Sequence, residues 1–209
     1  SRTLLIDDQR SWQHVAAKLE SEPLLALDTE SNSLHTYRER VCLIQIATAG
    51  EIFLLDPLAV TDLSALGRLL ANPSITKVAH GSDYDMRCLH RDYGFTVRSL
   101  FDTEMAARFL GSSRTNLASV LESFLGVEIP KSRSLQTSDW GRRPLSPLAM
   151  DYATSDVKFL PELIGELQRH LSTARRLDWV MEECRRLEQV RQAPPDPAEM
   201  VMLRIKGSS

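Results

Sequence analysis

Apolar positions along this chain switch between helical and extended spacing. Residues 10–19 place Trp12, Val15, Ala16 and Leu19 on one helical stripe, with Ser11 as the expected N-cap. Residues 24–27 are an unbroken apolar run, the mark of a buried strand. Val41–Ala47 forms a second strand rich in β-formers, and Ala49-Gly50 turns the chain into a third at 52–55. Three successive strands predict an antiparallel meander. Thr61-Asp62 is expected to cap a helix through residue 70. A strand at 75–79, a helix at 83–91, a strand at 97–101 and a helix led in by Asp102-Thr103 and running through 110 follow. That alternation requires parallel pairing. The fold class is therefore α/β, a mixed sheet flanked by helices.

Beyond residue 110 the pattern is helical and interrupted. A helix is expected at 116–124, capped by Thr115 or Asn116. Residues 129–143 lack a clear period and read as loop. A helix at 146–156 follows, with Pro161 kinking or restarting it. An amphipathic helix is predicted at 177–190. Ala193-Pro194-Pro195-Asp196-Pro197 reads as a linker. The expected organisation is one domain over 1–193 and a short extension over 194–209.

Composition narrows the functional classes. The 209 residues suit a single domain, with 43% hydrophobic and 25% charged positions. No apolar run reaches the length of a membrane span. The polar start Ser1-Arg2 gives no expectation of a signal peptide. Cys42, Cys88 and Cys184 are scattered, with no C-x-x-C pair, so neither zinc nor a disulfide framework is expected and a reducing cytoplasmic setting fits. A net charge of −3 argues against a broad basic grip on long nucleic acid.

Chemistry concentrates where the first strand ends. Asp28 and Glu30 are two residues apart, so on a strand they share a face. Two carboxylates side by side repel unless a cation lies between them, and hard oxygen donors suit Mg²⁺ or Mn²⁺. Acid-x-acid pairs are common in isolation; Glu20 and Glu22 form another, on a solvated stretch. Further acids must converge to make a two-metal site. In His80-Gly81-Ser82-Asp83-Tyr84-Asp85 the candidates are Asp85 and Asp83, both also suited to a helix N-terminus. Tyr152 and Asp156, at i and i+4, put a phenol and a carboxylate on one helix face.

Asp28-Thr29-Glu30, the His80–Asp85 string and Tyr152-x-x-x-Asp156 together resemble the three motifs of the DEDD superfamily of 3′-5′ exonucleases. The tyrosine marks the DEDDy branch, and the chain resembles ribonuclease D within it. Leu43-Ile44-Gln45-Ile46-Ala47, Leu100-Phe101-Asp102-Thr103 and Ser138-Asp139-Trp140-Gly141-Arg142-Arg143-Pro144-Leu145 extend the match over roughly residues 20 to 170. The resemblance implies a ribonuclease-H-like (DnaQ-like) exonuclease fold and two divalent metal ions. It implies release of nucleoside 5′-monophosphates from single-stranded RNA 3′ ends, with transfer-RNA precursors among the candidate substrates. It makes Asp28, Glu30, Asp85 and Asp156 the metal ligands, selecting Asp85 over Asp83, and gives Tyr152 the orientation of the attacking water. The end of the chain resembles the entry to a helical HRDC-like region.

Substrate contacts are expected from several places. Thr29 and the residues after Glu30 through Leu34 would cradle the terminal nucleotide. His80 would approach the backbone. Gln136 lies in the irregular loop, and Trp140 would stack on a base. Lys131, Arg133, Arg142 and Arg143 would meet phosphates. Two other readings remain: an exonuclease on single-stranded DNA, and a catalytically silent RNA-binding domain, which the full set of acids disfavours.

Overall fold

A six-stranded mixed sheet forms the middle layer of the molecule, in the order β1-β4-β3-β2-β5-β6. The computed structural model describes residues 2–32, 39–129 and 133–191, without the Arg133 side chain. The strands are β1 (Arg2–Ile6), β2 (Leu24–Ser31), β3 (Val41–Ala47), β4 (Glu51–Leu55), β5 (Thr76–Ala79) and β6 (Leu100–Asp102). β2, β3 and β4 are the expected antiparallel meander. β5 and β6 add in parallel beyond β2, and β1 adds in parallel to β4.

Strand alternation divides the core in two. On β2, Leu25 and Leu27 join one cluster and Ala26 the other. On β4, Phe53 and Leu55 separate from Ile52 and Leu54 in the same way. The first cluster is closed by α1 (Gln9–Leu19), α2 (Ser64–Ala71) and α3 (Asp83–Tyr93), through residues such as Trp12, Leu66 and Leu89. The second is closed by α4 (Thr103–Phe109), α5 (Leu117–Leu125), α7 (Pro147–Lys158), α8 (Leu160–Thr173) and α9 (Leu177–Leu187). A helical turn, α6 (Arg133–Gln136), precedes α7.

Several expectations are corrected. β2 does not stop at residue 27: its ladder with β3 runs on to Ser31 opposite Val41, so Asp28 and Glu30 lie within the strand. β1, over Arg2–Ile6, is an additional strand. The strand expected at 97–101 begins only at Leu100. Asp8, not Ser11, caps α1, accepting from the Ser11 N–H at 2.9 Å. α2 starts at Ser64, whose N–H donates to Asp62 Oδ1 at 2.9 Å, so Asp62 holds the helix start as expected although Leu63 occupies the N-cap position. The loop at 129–143 contains α6, whereas Pro161 restarts the helix as expected, in the first turn of α8. α9 ends at Leu187. The expectations for Leu34, Lys131, the Arg133 side chain and the 194–209 extension lie outside the described residues.

Two devices hold the ends of the sheet in place. At the β6 edge, Glu188 accepts from the Leu100 N–H at 3.0 Å and Cys184 Sγ from the Asp102 N–H at 3.2 Å. One helical repeat on α9 thus matches alternate outward N–H groups of the strand and covers an edge that would otherwise pair with other chains. The second device is Arg143. It grips the buried Asp56 carboxylate with Nε at 2.6 Å and Nη2 at 2.8 Å, and also donates to the carbonyls of Cys42 and Trp140. Burial alone would raise the Asp56 pKa, but these hydrogen bonds bring it below its ordinary value. The segment leading into α7 is thereby bolted to β3 and β4. Arg143→Ala should destabilise the fold by about 3 kcal/mol, because it strands a buried charge; urea unfolding checks this, and a loss under about 1 kcal/mol would contradict it.

Candidate active site

Asp28 and Glu30 share the β2 face that carries Ala26, so they point toward the helices of the second cluster. There α7 presents Asp156 one turn after Tyr152. Carboxylate oxygens of Asp28, Glu30 and Asp156 all lie within 4.8 Å of one another. The face between them, carrying Leu25 and Leu27, looks to α3, where Asp85 sits in the first turn. Thr29 lies on that face and donates its hydroxyl to Asp85 Oδ1 at 2.5 Å. Asp83 is exposed and pairs with Arg87 at 2.8 Å. Of the two acids left open by the motif, Asp85 is therefore the one that faces the other carboxylates.

Burial and mutual repulsion disfavour the acids as free anions. Burial, then the charges of Asp85, Glu30 and Asp156, raise Asp28 well above the ordinary range. Burial followed by Asp156 and Asp85 raises Glu30 to about 9. Asp85 rises to about 7 through burial, against the pull of the Thr29 hydroxyl. Asp156 also rises to about 7 through burial, against its hydrogen bond from Tyr152. The Tyr152 phenol is pushed up by burial and then by Asp156, Glu30 and Asp28, so it stays protonated. A cluster of hard oxygen donors that retains protons for want of a counter-charge fits a divalent cation.

Neutral donors aim these groups. Gln45 stands opposite Asp28 in the β2–β3 ladder and donates from Nε2 to Asp28 Oδ2 at 3.2 Å. Asp102, 2% exposed, accepts from Ser82 N and Oγ at 2.7 Å each, from Gly81 N at 3.2 Å and from Met105 N at 3.0 Å. It therefore caps α4 and fixes the entry to α3 at once. Gly81 takes φ +67 at this entry, which favours glycine, and a Cβ there would also push the Glu104 carboxylate aside from 2.8 Å. Sequence reasoning missed both Gln45 and Asp102. The polar residue inside an apolar strand was the available signal for Gln45; Asp102 read only as a helix lead-in.

A cavity of 370 Å³ opens over the acids. Thr29, His80, Gln136, Tyr152 and Asp156 line it with Asp28 and Glu30. His80 holds Thr103 Oγ1 at 2.8 Å through Nδ1, and burial lowers its pKa despite the charges of Asp102 and Glu104. Thr29 lines the cavity while its hydroxyl donates to Asp85. Trp140 is 1% exposed and packs 6.1 Å from the Tyr152 ring centroid. A ring so enclosed has no face for a base; its role is to wedge α7 against the sheet. Arg143 is committed to Asp56 and so is not a phosphate contact.

The site thus gathers two acids from β2, one from α3 and one from α7 beside a mixed α/β sheet. The family model described as 3′-5′ exonuclease matches residues 4–172, and the chain belongs to that family. It is 35% identical over 204 residues to the ribonuclease D of Shewanella sp. (strain ANA-3), covering 97% of this chain and 52% of that protein. The catalytic core of RRP6 from Trypanosoma brucei superposes with a TM-score of 0.89 at 29% identity, covering 99% of this chain and 56% of that one. Escherichia coli RNase D, an exoribonuclease involved in structured RNA processing, gives 0.82 at 30% identity over 89% of this chain and 49% of that one. The chain spans about half the length of these relatives.

Raised carboxylate pKa values make a signed prediction. The folded protein holds protons that the unfolded chain, titrating near pH 4, has released. Each such group stabilises the fold fully below about pH 4 and loses that contribution as pH rises through its folded value, 7 for Asp85 and Asp156 and 9 for Glu30. In chelator, stability should therefore increase between pH 8 and pH 7 by on the order of 1–2 kcal/mol, a few degrees in melting temperature. Excess Mg²⁺ or Mn²⁺ should flatten that slope. Thermal melts check it; a flat profile in chelator would contradict it.

Proposed function

We propose that the chain is a metal-dependent 3′-5′ exoribonuclease domain that shortens single-stranded RNA and releases nucleoside 5′-monophosphates. The convergence of Asp28, Glu30 and Asp156 within 4.8 Å, with Asp85 alongside, carries this reading. The ribonuclease D relative and the exoribonuclease description of its Escherichia coli counterpart support RNA as substrate. Three free, buried cysteines support a reducing cytoplasmic setting. No described helix is long and apolar enough to cross a membrane.

In this reading Asp28, Glu30, Asp85 and Asp156 hold two divalent ions, Mg²⁺ or Mn²⁺. Bound there, such ions lower the pKa of a water and neutralise charge on the attacking and leaving oxygens. The protein's own work is positional. Tyr152, tied to Asp156, offers its hydroxyl to orient the water for in-line attack. Gln45 keeps Asp28 turned into the cleft. Trp140 and the Arg143–Asp56 pair hold α7, and with it Tyr152 and Asp156, against β2. His80 and Gln136, on the cavity wall, contact the terminal nucleotide. No covalent intermediate is needed, in keeping with four acids and a phenol as the reactive set.

The test uses 5′-labelled RNA with a free 3′-hydroxyl, a matched DNA strand, Mg²⁺ or Mn²⁺, and a chelator control. A metal-dependent ladder from the 3′ end, stronger on RNA, is expected. Asp28→Asn should lower the rate at least a hundredfold, the roughly several kcal/mol that metal-borne charge stabilisation supplies. Tyr152→Phe should cost about a hundredfold, the scale of a mispositioned proton-transfer partner. Intact RNA in every lane, from folded protein, would leave an RNA-binding domain instead. Equal cutting of DNA would replace the RNA assignment.

A further inference from the structure

We infer that Thr29 is the positioning residue that aims Asp85 into the cleft, a role that rests on Asp85 being a metal ligand. Asp85 is the acid that does not come from the α7 side. It arrives on α3, against the opposite face of the sheet from Tyr152 and Asp156. Asp102 ties the α3 entry to α4, and a contact at the end of β2 registers the acids themselves. Thr29 is placed for that by strand alternation alone, since Asp28 and Glu30 flank it and face the other way.

The contact is short and enclosed. Thr29 Oγ1 lies 2.5 Å from Asp85 Oδ1, and each residue is 9% exposed. One carboxylate oxygen is thus taken by the hydroxyl, and the carboxyl plane is set by it. Backbone N–H groups of Thr29 and Asp85 also reach this carboxyl, and Asp85 exerts the largest charge effect on Asp28. A second rung repeats the arrangement: Ser31 Oγ lies 3.0 Å from the Tyr84 hydroxyl. Alternate hydroxyls on one face of β2 therefore meet consecutive residues in the first turn of α3. Asp102 fixes the backbone at Gly81 and Ser82, but that leaves the Asp85 carboxyl free to turn about its own side chain. Thr29 removes that freedom. Outer partners of metal ligands set affinity by holding ligand geometry, and losing one costs about 10–100-fold.

The test compares Thr29→Val, which keeps the shape and loses the hydroxyl, with Thr29→Ser, which keeps the hydroxyl. Both are made in the full chain and checked for an unchanged melting temperature in chelator. Mn²⁺ affinity is read by calorimetry, independently of turnover, and RNA cleavage is followed against Mn²⁺ concentration. Thr29→Val should weaken Mn²⁺ binding about tenfold or more and lower kcat while leaving KM for RNA within about twofold. Thr29→Ser should recover most of both losses. In an Asp85→Asn background, Thr29→Val should add less than about a twofold loss. Wild-type Mn²⁺ affinity and kcat in Thr29→Val would overturn the inference, as would a serine variant that falls as far as valine. If valine alone fails to fold, the serine variant and the Asp85→Asn background decide: equal Mn²⁺ affinity in serine and wild type upholds the role, and a tenfold loss in serine overturns it. A wild-type chain that binds no Mn²⁺ and leaves RNA intact would instead remove the exonuclease reading itself.

Discussion

Mutual repulsion among Asp28, Glu30, Asp85 and Asp156 is the constraint around which this molecule is arranged. Two full charges 4.8 Å apart repel by on the order of 3–4 kcal/mol at an effective dielectric of ~20. A neutral hydrogen bond returns only about 1 kcal/mol. The donors supplied by Gln45, Thr29 and Tyr152 can therefore orient the acids but cannot neutralise them. Protons or cations must, and without a cation burial and the neighbouring charges favour the protonated carboxyls. The large apolar layers on both sides of the sheet supply the stability that keeps such a cluster together.

Placement of the acids follows from a simple property of strands. β2 is buried on both faces through Leu27 and then continues as a polar segment beyond the end of β5, whose ladder with β2 stops at Val78 opposite Ala26. The sheet opens there, on the carboxyl side of its parallel strands, where open α/β sheets bind ligands. One face of the polar segment meets α7 and the other meets α3. Each helix is then held by a buried charge elsewhere: α7 by Arg143 on Asp56, α3 by Asp102 at its entry. These two anchors lie outside the cavity that the acids line.

Much of this was legible in the order of residues. The meander, the parallel half and the pairing of Tyr152 with Asp156 follow from periodicity, and the motif set named the family. What escaped reading depends on partners distant in sequence. The apolar run ending at Leu27 hid the continuation of β2, because the ladder with β3, not hydrophobicity, sustains it. β1 is a five-residue edge strand whose Leu5 is exposed, so its period is weak. Trp140 looked like a base-stacking residue in a polar loop; only the packing of α7 shows that its ring is enclosed. Thr29, Gln45 and Asp102 are ordinary strand or cap residues in the sequence, and their hydrogen-bond partners lie 56, 17 and 20 residues away.

The most direct measurement is the number of protons released when a divalent ion binds. Mn²⁺ would be titrated calorimetrically into the metal-free chain at pH 7 in buffers of different ionisation enthalpy. If the four acids share protons in place of a cation, binding must expel them, and at least about one proton should leave per protein molecule. Binding with no proton release would mean that the carboxylates are already ionised and that repulsion does not organise the site.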